Sequence, residues 1–297
     1  MEESVLTSVV LPGAMFVIML GMGLSLVVDD FRRVVAYPTA ALTGLVCQLL
    51  LLPVCAFLLA RGFGLRPELA VGLMILAACP GGITSNLITH VARADTALSV
   101  TLTAINSLVA VFSIPFIVGF GLEYFLDASR AVELPVLKTI GQVFGITVVP
   151  VAIGMAIRGH NPDFAKRLDR PVRIASAVIF SLIVVGIIAT NLDLLREHFG
   201  GLAGVTGTLN IATMGLGLAA GTLVGLPTRQ RLTVSIEAGI QNSALAIVIA
   251  TAILKRGDMA LPAGVYSLVM FVSGAAVMIY GSQKLPAATR TEKAEGP

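Results

Sequence analysis

The chain has 297 residues, 56% of them apolar and only 12% charged, with a mean hydropathy of +0.93 and a formal net charge of +3. A soluble domain carries about 25% charged residues, so this composition excludes a soluble enzyme and offers no electrostatic case for nucleic acid. The three cysteines, Cys47, Cys55 and Cys79, sit inside apolar runs without C-x-x-C or histidine spacing, which indicates packing rather than a disulfide frame or a zinc site.

A bilayer span needs about 20 apolar residues. In chain order nine stretches qualify, at 5–28, 34–60, 69–91, 96–121, 138–157, 172–192, 203–226, 232–254 and 261–281, followed by a short polar tail, 283–297. The N-terminus reads Met1-Glu2-Glu3 without the basic region of a signal peptide, so the first span is expected to remain in the mature protein. Lys and Arg favour the cytoplasmic side. With the N-terminus outside, 13 of the 20 basic residues fall on that side: Arg32, Arg33, Arg93, Arg158, Lys166, Arg167, Arg170, Arg173, Arg229, Arg231, Lys284, Arg290 and Lys293. Arg61, Arg66, Arg130, Lys138, Arg196, Lys255 and Arg256 remain outside, which predicts an external N-terminus and a cytoplasmic C-terminus. The loop from Arg158 to Arg173 carries most of the bias and reads as an orientation signal that also suits anionic lipid.

Nine spans divide as four, one and four, and the odd fifth span makes the second group enter the membrane from the opposite side, an inverted repeat. Two otherwise apolar segments are broken by polar, glycine-bearing stretches, Cys79-Pro80-Gly81-Gly82-Ile83-Thr84-Ser85-Asn86 and Glu237-Ala238-Gly239-Ile240-Gln241-Asn242-Ser243. Each falls in the third span of its group. Backbone is interrupted at membrane depth only where protein or a water-filled cavity surrounds it, and matched interruptions in two halves point to a transport site.

Glu237 is the one carboxylate in the run from 232 to 254, and no Lys or Arg lies deep in any span. A charge at that depth costs about 2.5–3.5 kcal/mol on insertion scales, so a cation or a proton is its expected partner. Ser85, Asn86, Ser99, Thr103, Gln48 and Gln241 supply neutral oxygens, a hard donor set that suits an alkali cation rather than zinc or copper. Ser99, Thr103 and Asn106 stand at i, i+4 and i+7, a single face of the fourth span. Hydroxyl and amide groups also serve as interhelical glue, which is the plainer role for Asn106. His90, His160 and His198 read as interfacial, and Gly215, Gly217, Gly221 and Gly225 as a packing surface without the strand or Lys-Ser/Thr of a phosphate loop.

The blocks Cys79-Pro80-Gly81-Gly82-x-x-Ser85-Asn86, Ala97-Leu98-Ser99-Val100 and Glu237-x-Gly239-x-Gln241-Asn242-Ser243 give the chain a resemblance to the bile acid:sodium symporter family, over nearly its whole length. The resemblance implies an all-α polytopic membrane protein of nine helices with two broken crossing helices, arranged as a core, about 34–121 and 203–282, and a panel, about 5–33 and 138–192. It implies two Na⁺ sites, one formed by Ser85, Asn86, Ser99, Thr103 and Glu237, the other by Gln48, Glu237, Gln241 and the backbone carbonyls of Ala238 and Ile240. Substrate would lie beside Gly82, Ile83, Thr84, Asn242, Met270 and Phe271. Met270 and Phe271 replace the polar His-Asn pair of bile-acid-binding bacterial relatives, so a small organic anion, or failing that a bile-acid-like carboxylate, is the expected substrate class, carried by alternating access into the cell across the cytoplasmic membrane of a bacterium.

Two other functions compete. Proton coupling through Glu237 uses the same carboxylate. A ligand sensor would need an output domain, for which the tail is too short. No protein partner is indicated, and the broken segments lack the nucleophile and base that an intramembrane hydrolase requires, so an enzyme is not expected.

Overall fold

The computed structural model describes residues 10–126 and 135–286. The start of the first expected span (5–9), the tail from 287 onward and the basic residues Arg130, Arg290 and Lys293 lie outside the described residues. All regular structure in the described residues is helical. The helices are α1 (Leu11–Ser25), α2 (Val28–Arg32), α3 (Pro38–Gly62), α4 (Pro67–Ala78), α5 (Ile83–Val91), α6 (Thr96–Phe125), α7 (Val136–His160), α8 (Pro162–Thr190), α9 (Leu192–Leu223), α10 (Thr228–Gly239), α11 (Ser243–Val248) and α12 (Leu261–Lys284). Among the described residues seven helical stretches are long and apolar enough to cross a membrane, or up to nine when two bent pairs are each taken as one span. The protein is therefore an all-α, multi-pass membrane protein with broken helices.

The elements follow from local chemistry. Pro38, Pro67 and Pro162 open their helices, where the missing N–H costs nothing. Asp95 accepts from Leu98 N at 3.0 Å and caps α6. Within α3, Pro53 cannot donate to the ladder, and the turn Cys47–Leu51 just before it widens to π geometry, with Leu52 N bonded to Cys47 O. Such a bulge often marks a functional position; here it holds Gln48.

Three boundaries differ from the sequence expectation. The chain turns by 80° after α1, because Val28–Val35 carries Asp29, Asp30, Arg32 and Arg33 and cannot continue an apolar span. The expected Arg158–Arg173 loop is helical apart from a break at Asn161, forming the end of α7 and the first turns of α8. Arg158 donates to Leu24 O at 3.0 Å, satisfying an end carbonyl of α1. Helix α9 starts at Leu192 rather than near 203, its first turns carrying Asp193, Arg196, Glu197 and His198.

Helix α1 packs along α7 and α8, and α9 along α10 and α12. The α1–α7 contact is a backbone-to-backbone seam. A Cβ built on Gly154 would lie 2.6 Å from Leu20 O and 2.7 Å from Leu24 N, and Gly23 faces the Val151 backbone in the same way. Small residues permit this approach, which replaces the hydrophobic drive that lipid removes.

Candidate functional site

The expected breaks are present but narrower than the polar motifs. The first pair is bent by 63° between Ala78 and Ile83, so Ser85 and Asn86 belong to α5. The second opens only at Ile240, Gln241 and Asn242, so Glu237 and Ala238 remain in α10. The two breaks touch: Asn242 N donates to Pro80 O at 2.9 Å.

Each carbonyl end at the crossing is tied to an interior side chain. Gln48 Nε2 donates to Cys79 O at 2.9 Å. Asn210 Nδ2 and the Tyr266 hydroxyl both donate to Gly239 O at 2.8 Å, and Gln241 Nε2 donates to Ala238 O at 3.0 Å. These bonds supply the partners that a helix end lacks in the absence of water. The amino ends differ from one another. The side chain of Asn242 accepts from Leu245 N at 3.0 Å and caps α11, whereas α5 starts at Gly82 with no side-chain cap.

Glu237 is 1% exposed and lies where α10 meets α5 and α6. Its Oε1 accepts from Ser99 Oγ at 2.5 Å and its Oε2 from Thr103 Oγ1 at 3.0 Å. Asn86 Oδ1 sits 2.8 Å from the same Ser99 Oγ and 3.3 Å from the same Thr103 Oγ1. Ser85 Oγ lies 3.4 Å from Thr103 Oγ1 and donates to Gly82 O at 2.8 Å. Each hydroxyl has one proton and faces at least two acceptors. The cluster therefore holds more lone pairs than protons, around a carboxylate with no basic side chain among its bonds. All five residues of the first expected Na⁺ set are brought together, and their donor atoms are those a hard monovalent cation takes.

The second expected set is assembled differently. Gln48 Nε2 lies 2.6 Å from Gln241 Oε1, and Gln241 Nε2 lies 3.4 Å from Gln48 Oε1, so the two amides satisfy one another. The Ile240 carbonyl faces the Glu237 side, 3.6 Å from the Cβ position of Gly81. The pair must turn its oxygens inward to receive a cation.

Of the residues expected near substrate, Gly82, Ile83 and Thr84 are half-buried at the start of α5. The Cβ position of Gly82 lies 3.9 Å from Asn242 Cβ. Met270 is buried, its sulfur 4.0 Å from Ser243 Oγ. Phe271 is turned away toward α8, its ring 6.2 Å from that of Phe180. A separate cleft of about 460 Å³ opens between α9, α10 and α12, lined by residues including Met214, Leu218, Arg231 and Tyr280; none of the Glu237 partners lines it.

Sequence reading missed Asn210 and Tyr266, which look like ordinary polar and aromatic residues of a span until their shared contact with Gly239 is seen. It also passed over Gly81 as a contact. A Cβ there would lie 2.7 Å from Glu237 Oε2. Gly81→Ala is expected to displace the carboxylate from Ser99 and Thr103 and weaken Na⁺ binding at least tenfold, which costs about 1.4 kcal/mol. Isothermal Na⁺ titration checks this, and an unchanged affinity would show that the carboxylate moves freely.

Comparison with known proteins decides the family. Residues 12–198 match the model of the sodium bile acid symporter family. The chain belongs to that family. It is 31% identical over 245 residues to the ileal sodium/bile acid cotransporter of Oryctolagus cuniculus, covering 82% of this chain and 69% of that protein. It is 29% identical over 270 residues to the Bacillus subtilis protein named "Uncharacterized sodium-dependent transporter YocS", covering 91% and 82%. Similarity to the rice protein named "Probable sodium/metabolite cotransporter BASS2, chloroplastic" is 27% over 271 residues, covering 91% of this chain and 63% of that one. Membership supports a sodium-coupled membrane transporter rather than an enzyme.

Proposed function

We propose that the protein is a sodium-coupled symporter that carries a small organic anion inward across a bacterial cytoplasmic membrane. The acceptor-rich oxygen cluster around Glu237, placed where both helix breaks meet, carries this reading. In it, one Na⁺ is held by Ser85, Asn86, Ser99, Thr103 and Glu237, and a second by Gln48, Glu237, Gln241 and the Ala238 and Ile240 carbonyls. The uncapped start of α5 supports an anionic substrate, because free N–H groups and the positive end of a helix attract a carboxylate. Gly82, Ile83, Thr84 and Asn242 would receive it, with Met270 bounding the apolar side, while Phe271, turned toward α8, would not touch it.

Na⁺ neutralises Glu237 and orders the crossing, the anion then binds, and the core moves against the panel formed by α1, α7 and α8. The N-terminus lies outside and the C-terminus in the cytoplasm. Two Na⁺ with a monoanion transfer one positive charge, so an inside-negative potential drives uptake by about 2.3 kcal/mol per 100 mV.

The test is uptake of candidate organic anions into proteoliposomes under imposed gradients. Accumulation is expected to require an inward Na⁺ gradient and to rise when K⁺ and valinomycin set the interior negative. Accumulation driven equally by a pH gradient without Na⁺ would transfer the role of Glu237 to proton coupling. Specific ligand binding without accumulation under any gradient would make the protein a sensor.

A further inference from the structure

Asn106 is 1% exposed, yet neither its Oδ1 nor its Nδ2 has a hydrogen-bond partner among the described residues. Buried carboxamides are ordinarily bonded, because the alternative is costly. The interhelical glue expected of Asn106 would require a partner across the helix interface, and the described residues offer none. Its position explains the exception. It shares a face of α6 with Ser99 and Thr103, both bonded to Glu237, and stands three residues, about 4.5 Å, beyond Thr103.

The neighbouring helix fixes what lies at that height. Helices α3 and α6 are separated by one membrane crossing and run parallel, and α6 packs against both α3 and its π turn. A Cβ on Gly44 would lie 2.6 Å from the side chain of Leu102. One turn further along each parallel helix come Gln48 and Asn106. Gln48 is bonded to Gln241, beyond Glu237 on the other broken segment. An unpartnered carboxamide thus stands level with the amide pair and one turn from the carboxylate cluster.

We propose that Asn106 is a further cation ligand, its carboxamide oxygen completing the Na⁺ position at the Gln48–Gln241 level and joining it to the Glu237 cluster. The mutual bond between Gln48 and Gln241 engages an amide oxygen of each, whereas Asn106 can supply an oxygen without breaking any existing bond. The inference rests on the sodium reading above.

The experiment follows thermal stability of wild type, Asn106→Ala, Asn106→Asp and Asn106→Leu across a Na⁺ titration, with K⁺ holding ionic strength constant. Binding to the native state alone raises stability by mass action, so the midpoint reports affinity without transport. The alanine variant is expected to need about tenfold more Na⁺ and to show a shallower dependence on its concentration. The aspartate variant, which keeps an oxygen and adds charge, should match wild type or bind more tightly. A leucine variant that is more stable than wild type without Na⁺ and has the wild-type Na⁺ midpoint would identify Asn106 as a mere packing defect and overturn the proposal. Asn106→Val, which also lacks a side-chain oxygen, replaces the alanine variant if that one does not fold, and is read in the same way. If wild type responds equally to Na⁺ and K⁺, the sodium reading itself fails; if wild type responds specifically and alanine behaves like it, only the role of Asn106 fails.

Discussion

Glu237→Gln is expected to abolish Na⁺-specific stabilisation and Na⁺-driven uptake while leaving the sodium-free protein at least as stable as wild type. The carboxylate accepts two hydroxyl bonds and has no basic partner, so in the absence of a cation its charge is buried without compensation, an arrangement that neutral replacement relieves. Glutamine keeps the length and one oxygen for Ser99 or Thr103. In the proposed mechanism it removes the charge that would hold the ion, and a cation at a hundredfold excess over its Kd contributes about 2.7 kcal/mol that should vanish. Melting curves in Na⁺ and in K⁺ at equal ionic strength measure it. A variant with the full Na⁺ response would remove Glu237 from the site and the coupling mechanism with it.

The second large effect concerns packing. Gly154→Leu places its side chain against Leu20 O, Gly23 C and Leu24 N of α1, backbone atoms that cannot rotate aside. Overpacking that neighbouring side chains absorb costs about 1–3 kcal/mol; separating two helices across their seam should exceed that. The expected result is loss of monodisperse protein after detergent extraction, or a melting temperature lowered well below wild type. Gly145→Leu on the same helix is the control, since nothing lies within 4 Å of its Cβ position, and it should behave like wild type. Equal behaviour of the two variants would show that α1 and α7 are not held by this seam.

Much of the fold was legible because hydropathy is a strong signal over 20 residues and a lone carboxylate in an apolar run is costly. The positions of the spans and breaks follow from that cost, while the grouping of Ser85, Asn86, Ser99 and Thr103 with Glu237 was legible only through the family resemblance of their motifs. The 80° turn after α1 was not, because averaging merges Val28–Val35 with the apolar residues before it. Nor was the early start of α9, whose charged first turns look like a loop until they are seen to extend the helix. The partners of Gly239 were hidden for a different reason. Asn210, Gly239 and Tyr266 lie far apart in the chain, and only tertiary packing brings one carbonyl to two donors. The pairing of Gln48 with Gln241 is likewise invisible to periodicity, since nothing in either span indicates which way an amide turns.

The clamps on the broken helix ends bear on how such a protein changes shape. Cys79, Ala238 and Gly239 each have a carbonyl bonded to a side chain, and the strand-like residues between the helices are joined through Pro80 and Asn242. Melting any of these segments in lipid would leave several polar groups stranded at once, each at a cost of several kcal/mol. The crossing is thus tied together through side chains as well as backbone, and in the proposed mechanism the core would carry it as one unit when it moves against the panel.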